Sequence, residues 1–276
     1  MKLKKNSEDT LTSLWKNSLL EDIALPSTVT IVFVIGISLS LVFYANYTKI
    51  LDIGGSVLAF LICFISGVFG HWSWLLILLL FVGSSFLATR FAIVYKKALG
   101  VEESDEGTRG GLNVISNGIL PPVIAIVYSF GFISPEQALV AFTTSMAAAS
   151  ADTMASEIGV LSPSPVLITN PRKVVEPGVD GGVSFEGLTA SFLSSVSISM
   201  LSYASFLVLI AEDHAFHASI ELNYLFISVF FGFFGSIIDS FLGATLQKEG
   251  YLTNSGVNMA SISLSVIFSL AFLDLF

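Results

Sequence analysis

The stretch Leu225-Phe-Ile-Ser-Val-Phe-Phe-Gly-Phe-Phe-Gly-Ser-Ile-Ile-Asp-Ser-Phe-Leu-Gly-Ala-Thr-Leu-Gln247 decides the fold. Its first half is apolar enough to belong in a bilayer, yet the run continues into a carboxylate, Asp239. A charged side chain at the centre of a membrane helix costs roughly 3 kcal/mol, so such residues face a polar cavity, pair with a cation or hold a metal. A second acid, Asp152, interrupts the small-residue run Thr143-Thr-Ser-Met-Ala-Ala-Ala-Ser-Ala-Asp-Thr-Met-Ala-Ser-Glu157. These two aspartates mark where function is expected.

Composition agrees with the membrane reading. The chain has 276 residues, 54% hydrophobic and 12% charged, with a mean hydropathy of +0.83. Soluble domains carry about 25% charged residues. The sequence therefore predicts an all-α polytopic membrane protein, a single bundle of about seven or eight transmembrane helices. A polar N-terminal tail, residues 1–26, precedes an integral membrane domain, 27–276. Bilayer-length apolar segments run near 27–44, 53–69, 72–95, 113–130, 135–155, 183–210, 222–240 and 257–276. The second and third are separated only by Gly70-His71, which fits a tight hairpin or a re-entrant pair. In the tail, Leu11–Leu20 with Trp15 suits an amphipathic helix lying along the interface. The net charge of −9 and the absence of a basic run exclude nucleic acid as a partner. The single cysteine, Cys63, sits in an apolar segment and is read as a buried small hydrophobe.

Charge asymmetry orients the bundle. With eight spans and the N-terminus outside, Lys49, Arg90, Lys96, Lys97, Arg109, Arg172, Lys173 and Lys248 all fall in inside loops, and no Lys or Arg falls in the outside loops between spans. This satisfies the positive-inside rule, at the cost of placing the lysines of the tail outside. A cytoplasmic tail with one early segment that does not cross is the other solution. Either way, the polar loops 96–112, 158–182 and 242–256 share the side expected to be cytoplasmic. The run Glu212-Asp-His-Ala-Phe-His217, on the opposite side, reads as a solvated acidic loop.

Four pieces converge on that face. Asn113 and Asn117, spaced i, i+4, present two amides on one helix face just after Arg109. Asp152 and Glu157 are five apart and so share a site only if the helix frays between them, with Gly159 as the stop signal. The loop Thr169-Asn-Pro-Arg-Lys-Val-Val-Glu-Pro-Gly-Val-Asp-Gly-Gly-Val-Ser184 offers Arg172 and Lys173 as phosphate holders, and Asp180, Gly181 and Gly182 where the next helix begins. Asp239, Gly243 and Gln247 fall on one helical face, and Asn254 with Asn258 repeats the amide pair of the fourth span. Neither a Walker motif nor a dinucleotide glycine pattern is present, and the histidines lie away from the carboxylates. What remains is chemistry for holding Mg²⁺ and phosphates.

At these residues the chain resembles a known family. Ala-Asp-Thr-Met-Ala-Ser-Glu-Ile-Gly (151–159), Asp-Gly-Gly-Val-Ser (180–184), Asp-Ser-Phe-Leu-Gly-Ala-Thr-Leu-Gln (239–247), Thr-Asn-Ser-Gly-Val-Asn (253–258) and Gly-Ser-Ser-Phe-Leu-Ala-Thr-Arg (83–90) resemble the domain-of-unknown-function 92 membrane family. The resemblance implies a membrane kinase that phosphorylates an isoprenoid (phytyl- or geranylgeranyl-type) monophosphate to the diphosphate, using CTP or another nucleoside triphosphate with Mg²⁺. It implies Asp152 and Glu157 as metal or nucleotide ligands, Asp239 as a second metal or base position, and Arg172 and Lys173 as phosphate holders. An ion- or proton-coupled transporter using Asp152 and Asp239 is the alternative, and a structural role with paired, dispensable carboxylates is a third. Depth discriminates them: transport carboxylates belong near the midplane, kinase carboxylates near one interface.

Overall fold

The computed structural model describes residues 26–99, 110–212 and 221–275, with side chains of 92–99 and 209–212 left aside. The expected interfacial helix Leu11–Leu20 and the histidines of the acidic loop lie outside the described residues, as does Arg109.

Nine α-helices are described. They are α1 (Thr28–Tyr47), α2 (Ile53–Ile65), α3 (Trp74–Leu99), α4 (Gly111–Gly118), α5 (Leu120–Ser129), α6 (Pro135–Gly159), α7 (Phe185–Glu212), α8 (Leu222–Leu242) and α9 (Asn254–Leu273). Single π-helical turns extend α2 over Ser66–Gly70 and α8 over Gly243–Gln247. Sequence-coded caps start several of them. Ser27 accepts from the Thr30 amide, Asp52 from Gly55 at 2.6 Å and Thr253 from Gly256. Ser134 and Gln137 form a reciprocal capping box ahead of α6, with Pro135 in its first turn.

Six of these elements are long and apolar enough to cross a bilayer: α1, Ile53–Gly70, Trp74–Phe91, Phe185–Val208, Leu222–Gln247 and α9. A seventh is the pair α4–α5, bent by 45°. The expected single span 113–130 is thus broken at Ile119, where Pro121 and Pro122 follow and withhold the amides that a continuous helix would use. The early pair is a hairpin turning at His71 and Trp72, and both arms have spanning length.

The expected span 135–155 is the instructive departure. The helix forms, as α6, but it is not among those apolar enough to face lipid. Every residue from Ala138 to Ala151 is buried, because α6 is the central post against which α3, α5, α7, α8 and α9 pack. Small side chains make this possible. A Cβ added at Gly232 would stand 2.5 Å from Ala147 Cβ, and one at Gly235 would stand 2.7 Å from Ala148 Cβ, so α8 lies almost backbone to backbone on α6. Serines at 191, 195, 199 and 202 bury one face of α7, and Ser150 and Ser191 bridge to Ser194 and Ser236 at 2.7 and 2.6 Å.

The α6–α7 connection carries a three-stranded antiparallel sheet, which the sequence reading took as loop. Its strands β1 (Val166–Leu167), β2 (Asn170–Val174) and β3 (Gly182–Val183) lie in the order β2-β1-β3. The connection therefore covers one end of the bundle as a folded cap.

Candidate functional site

Beneath that cap lies a polar cavity of about 330 Å³. Its walls are the last turns of α6 and α8, the first turns of α4, α7 and α9, and the loop Gly178–Ser184. Alternating helix direction brings these ends to the same face of the bundle.

At its floor the two intramembrane aspartates meet. The Asp152 and Asp239 carboxyls are in hydrogen-bond contact, and the Asp180 carboxylate is near enough to act on Asp239 through its charge. Asp239 Oδ2 also accepts a hydrogen bond from Ser261 Oγ at 2.9 Å, which fixes the carboxyl against α9. Two carboxyls in contact must hold a proton or a cation between them. Asp152 stands seven residues before the end of α6 and Asp239 eight before the end of the α8 extension, each roughly 10–12 Å inside the helix end. Both carboxyls thus lie between the midpoint of their helix and its capped end, somewhat nearer the midpoint.

Glu157 reaches the same cavity from a different side. Helix α6 stays regular through Gly159, so the end or fraying that a shared site was expected to require is absent, although both acids line the cavity. Instead the cavity wraps around the helix. Glu157 is buried and accepts a 2.7 Å hydrogen bond from Thr89 Oγ1 on α3. Thr89 was not among the residues picked out for chemistry, although it lies in Gly83–Arg90, one of the stretches that carried the family resemblance.

The two amide pairs converge. Asn117 Nδ2 donates to the Asn113 carbonyl at 2.9 Å, and Asn258 Nδ2 donates to Asn117 Oδ1 at 3.5 Å, joining α4 to α9. Asn113, Asn117, Asn254, Asn258 and Gln247 all line the cavity. Asp180, Gly181 and Gly182 line it too, where Gly178 and Gly181 take left-handed φ values of 85° and 74°. Ser184 then caps α7, its Oγ accepting from the Gly187 amide at 3.1 Å. The long helices α7 and α9 thus present N-termini to the cavity, with partial positive charge suited to anions.

Arg172 and Lys173 are not brought into this site. They are exposed on β2, the edge strand, separated by β1 from the β3 residues that line the cavity. Among the described residues the cavity wall has four acids, Asp152, Glu157, Asp180 and Asp239, and no Lys or Arg. Its Ser156, Ser236 and Ser240 were also unanticipated, because isolated serines are common in tightly packed membrane helices.

Gly181 tests the cap directly. A Cβ there would stand 2.7 Å from Ala244 Cα and 2.8 Å from Ala244 N, on the backbone of the α8 π turn, at a φ that L side chains avoid. Gly181→Ala is expected to cost about 2 kcal/mol locally and to pull the loop from the cavity. The faster protease cleavage of 176–184 in the folded variant would report it; an unchanged cleavage rate would show that the loop does not depend on this contact.

These features describe a polytopic membrane protein with an acidic, amide-lined cavity at one end of its bundle. The chain belongs to the integral membrane protein family DUF92, whose profile matches residues 36–266. It is 32% identical over 208 residues to an uncharacterised membrane protein of Methanocaldococcus jannaschii, covering 75% of this chain and 77% of the relative. It is 28% identical over 272 residues to Protein PGR of Arabidopsis thaliana, covering 85% and 93%. A third relative, the chloroplastic Protein VTE6 of Arabidopsis thaliana, is 30% identical over 186 residues, covering 65% of this chain and 52% of the relative. No solved structure matches the chain.

Proposed function

We propose that this protein is a membrane-embedded kinase that transfers the terminal phosphoryl group of CTP or another nucleoside triphosphate, with Mg²⁺, to an isoprenoid monophosphate of phytyl or geranylgeranyl type. The observation that carries the reading is the Asp152–Asp239 carboxyl contact in an acidic cavity, at the capped end of the bundle, large enough for polar ligands. Charge asymmetry between the loops supports placing the capped end on the cytoplasmic side, where nucleotides are available.

The donor set fits Mg²⁺. This ion keeps several waters and binds through one or two carboxylates together with substrate phosphates, rather than in a cage of protein ligands. Asp152 and Asp239 offer such a two-carboxylate seat on a cavity that leaves room for phosphates. Asp152 and Asp239 would hold the ion, which when bound neutralises phosphate charge and orients the transferred group. The chain's own residues do the rest. The N-termini of α7 and α9 and the amides of the Gly178–Gly182 loop receive phosphate oxygens. Asn117 and Asn258 bind and orient the acceptor, and the cap limits entry of water that would compete as nucleophile. Lys and Arg being absent from the described wall, Arg172 and Lys173 at the cap edge serve capture of the anion rather than the transfer itself. Arg172→Ala with Lys173→Ala is expected to raise KM for the nucleotide severalfold, more at low salt, while leaving kcat nearly unchanged.

Proteoliposomes supplied with Mg²⁺, CTP or ATP, and phytyl or geranylgeranyl monophosphate should yield the diphosphate, identified by mass. An Asp152-dependent proton or cation flux in the same vesicles, without diphosphate, would replace this reading by a transporter.

A further inference from the structure

A second, apolar space adjoins the polar cavity. Between α2 and α3 lies a slot of about 70 Å³ walled by Ile62, Cys63, Leu78 and Phe86, whose inner end is closed by Asn113 and Asn117. These two asparagines line both spaces, so the slot and the polar cavity meet at the amide pair. Going outward, the same α2 and α3 walls, including Ala59 and Cys63, continue into a wider space of about 220 Å³ that also touches α1. Its rim is made of Tyr44, Leu79 and Leu87, all exposed, so this space opens sideways toward the surrounding bilayer. Well-packed interiors leave few voids wider than a water molecule. An apolar space that runs from the bilayer side to the amide pair bordering a polar site is therefore a feature to be explained.

We propose that this passage seats the hydrocarbon chain of the phosphorylated lipid, which enters sideways between α1 and α3 and presents its phosphate past Asn113 and Asn117. The inference rests on the lipid-phosphate kinase reading and adds to it a place for the chain. The occupant follows from this placement: the passage is apolar along its length, open to lipid at one end and separated from the phosphate-binding cavity at the other only by the amide pair. Cys63 and Ala59 lie on the passage wall one helical turn apart, and the amide pair forms the neck at which apolar chain gives way to polar head.

The test is photo-crosslinking of the full chain in nanodiscs with a geranylgeranyl monophosphate carrying a terminal diazirine. Adducts mapped by mass spectrometry are expected on the segments around Ala59–Cys63 and Leu78–Phe86. Unlabelled geranylgeranyl monophosphate should displace them, whereas geranylgeraniol and added phospholipid should not. Ala59→Phe and, separately, Val82→Phe should each lower these adducts by at least about tenfold, as one added group in an apolar pocket can. Adducts confined to other segments, or adducts in the passage that phospholipid displaces equally well, would overturn the proposal. Diphosphate formation by the same protein is scored in parallel. Transfer with adducts elsewhere removes the passage and leaves the kinase; competed adducts in the passage without transfer support the lipid seat and remove the kinase.

Discussion

Asp152→Asn folds and inserts like the native chain but loses phosphoryl transfer by at least about a thousandfold. Asparagine has the volume of aspartate and can keep one hydrogen bond to Asp239, so the packing of α6 against α8 is preserved. What is lost is one of the two negative charges that make the pair a seat for a divalent cation. Asp239→Asn is expected to do the same, with Ser261 retained as a hydrogen-bond donor to the remaining oxygen. Glu157→Gln serves as the comparison. Its carboxylate is tied to Thr89 on α3 rather than to the aspartate pair, so a loss of only about tenfold is expected, in keeping with a positioning role. Initial rates of diphosphate formation, beside thermal unfolding of each variant in detergent, check the set. Equal losses in all three variants would show that the pair has no special standing.

Gly235→Val is expected to be the most damaging apolar substitution in the bundle. The new Cβ would stand 2.6 Å from Ser265 Oγ and 2.7 Å from Ala148 Cβ. Neither neighbour can give way, since Ser265 is fully buried on α9 and Ala148 lies within the continuous buried run of α6. Helix α8 must then lift from the central post, at a cost of about 3 kcal/mol or more. Gly36→Val is the control: nothing stands within 4 Å of its added Cβ, on a lipid-facing part of α1. Thermal unfolding in one detergent should show a large fall in Tm for the first and almost none for the second. Similar values for both would contradict the close α6–α8 crossing.

Much of this arrangement was legible in the residues themselves. Apolar length gave the outer helices, because a bilayer demands a nearly uninterrupted apolar run and leaves little freedom in where it starts. The carboxylates stood out for the same reason, as did the i, i+4 amides that turned out to meet through Asn117 and Asn258. The central position of α6 was harder to see. Its Ala, Ser and Thr content announces close packing but not how many neighbours use it, and a helix shielded on all sides is released from the need to be lipophilic. The bend at Ile119 is encoded by Pro121 and Pro122, which a reading by apolar length alone passes over. The β-sheet cap could not be read from periodicity, since its strands β1 and β3 have two residues each and owe their existence to pairing across the chain. That sheet order is also why Arg172 and Lys173, only a few positions from Asp180, stand apart from it. Thr89, Ser236 and Ser261 gain their roles only from neighbours distant in sequence.

As proposed, the Asp152–Asp239 pair is a divalent-cation seat completed by nucleotide phosphates. Mn²⁺ in place of Mg²⁺ makes it directly visible by electron paramagnetic resonance on the full chain in nanodiscs. One protein-bound Mn²⁺ is expected in the presence of CTP or ATP, coupled to phosphorus nuclei, and abolished by Asp152→Asn and by Asp239→Asn. Mn²⁺–nucleotide binding of undiminished affinity in both variants would contradict it.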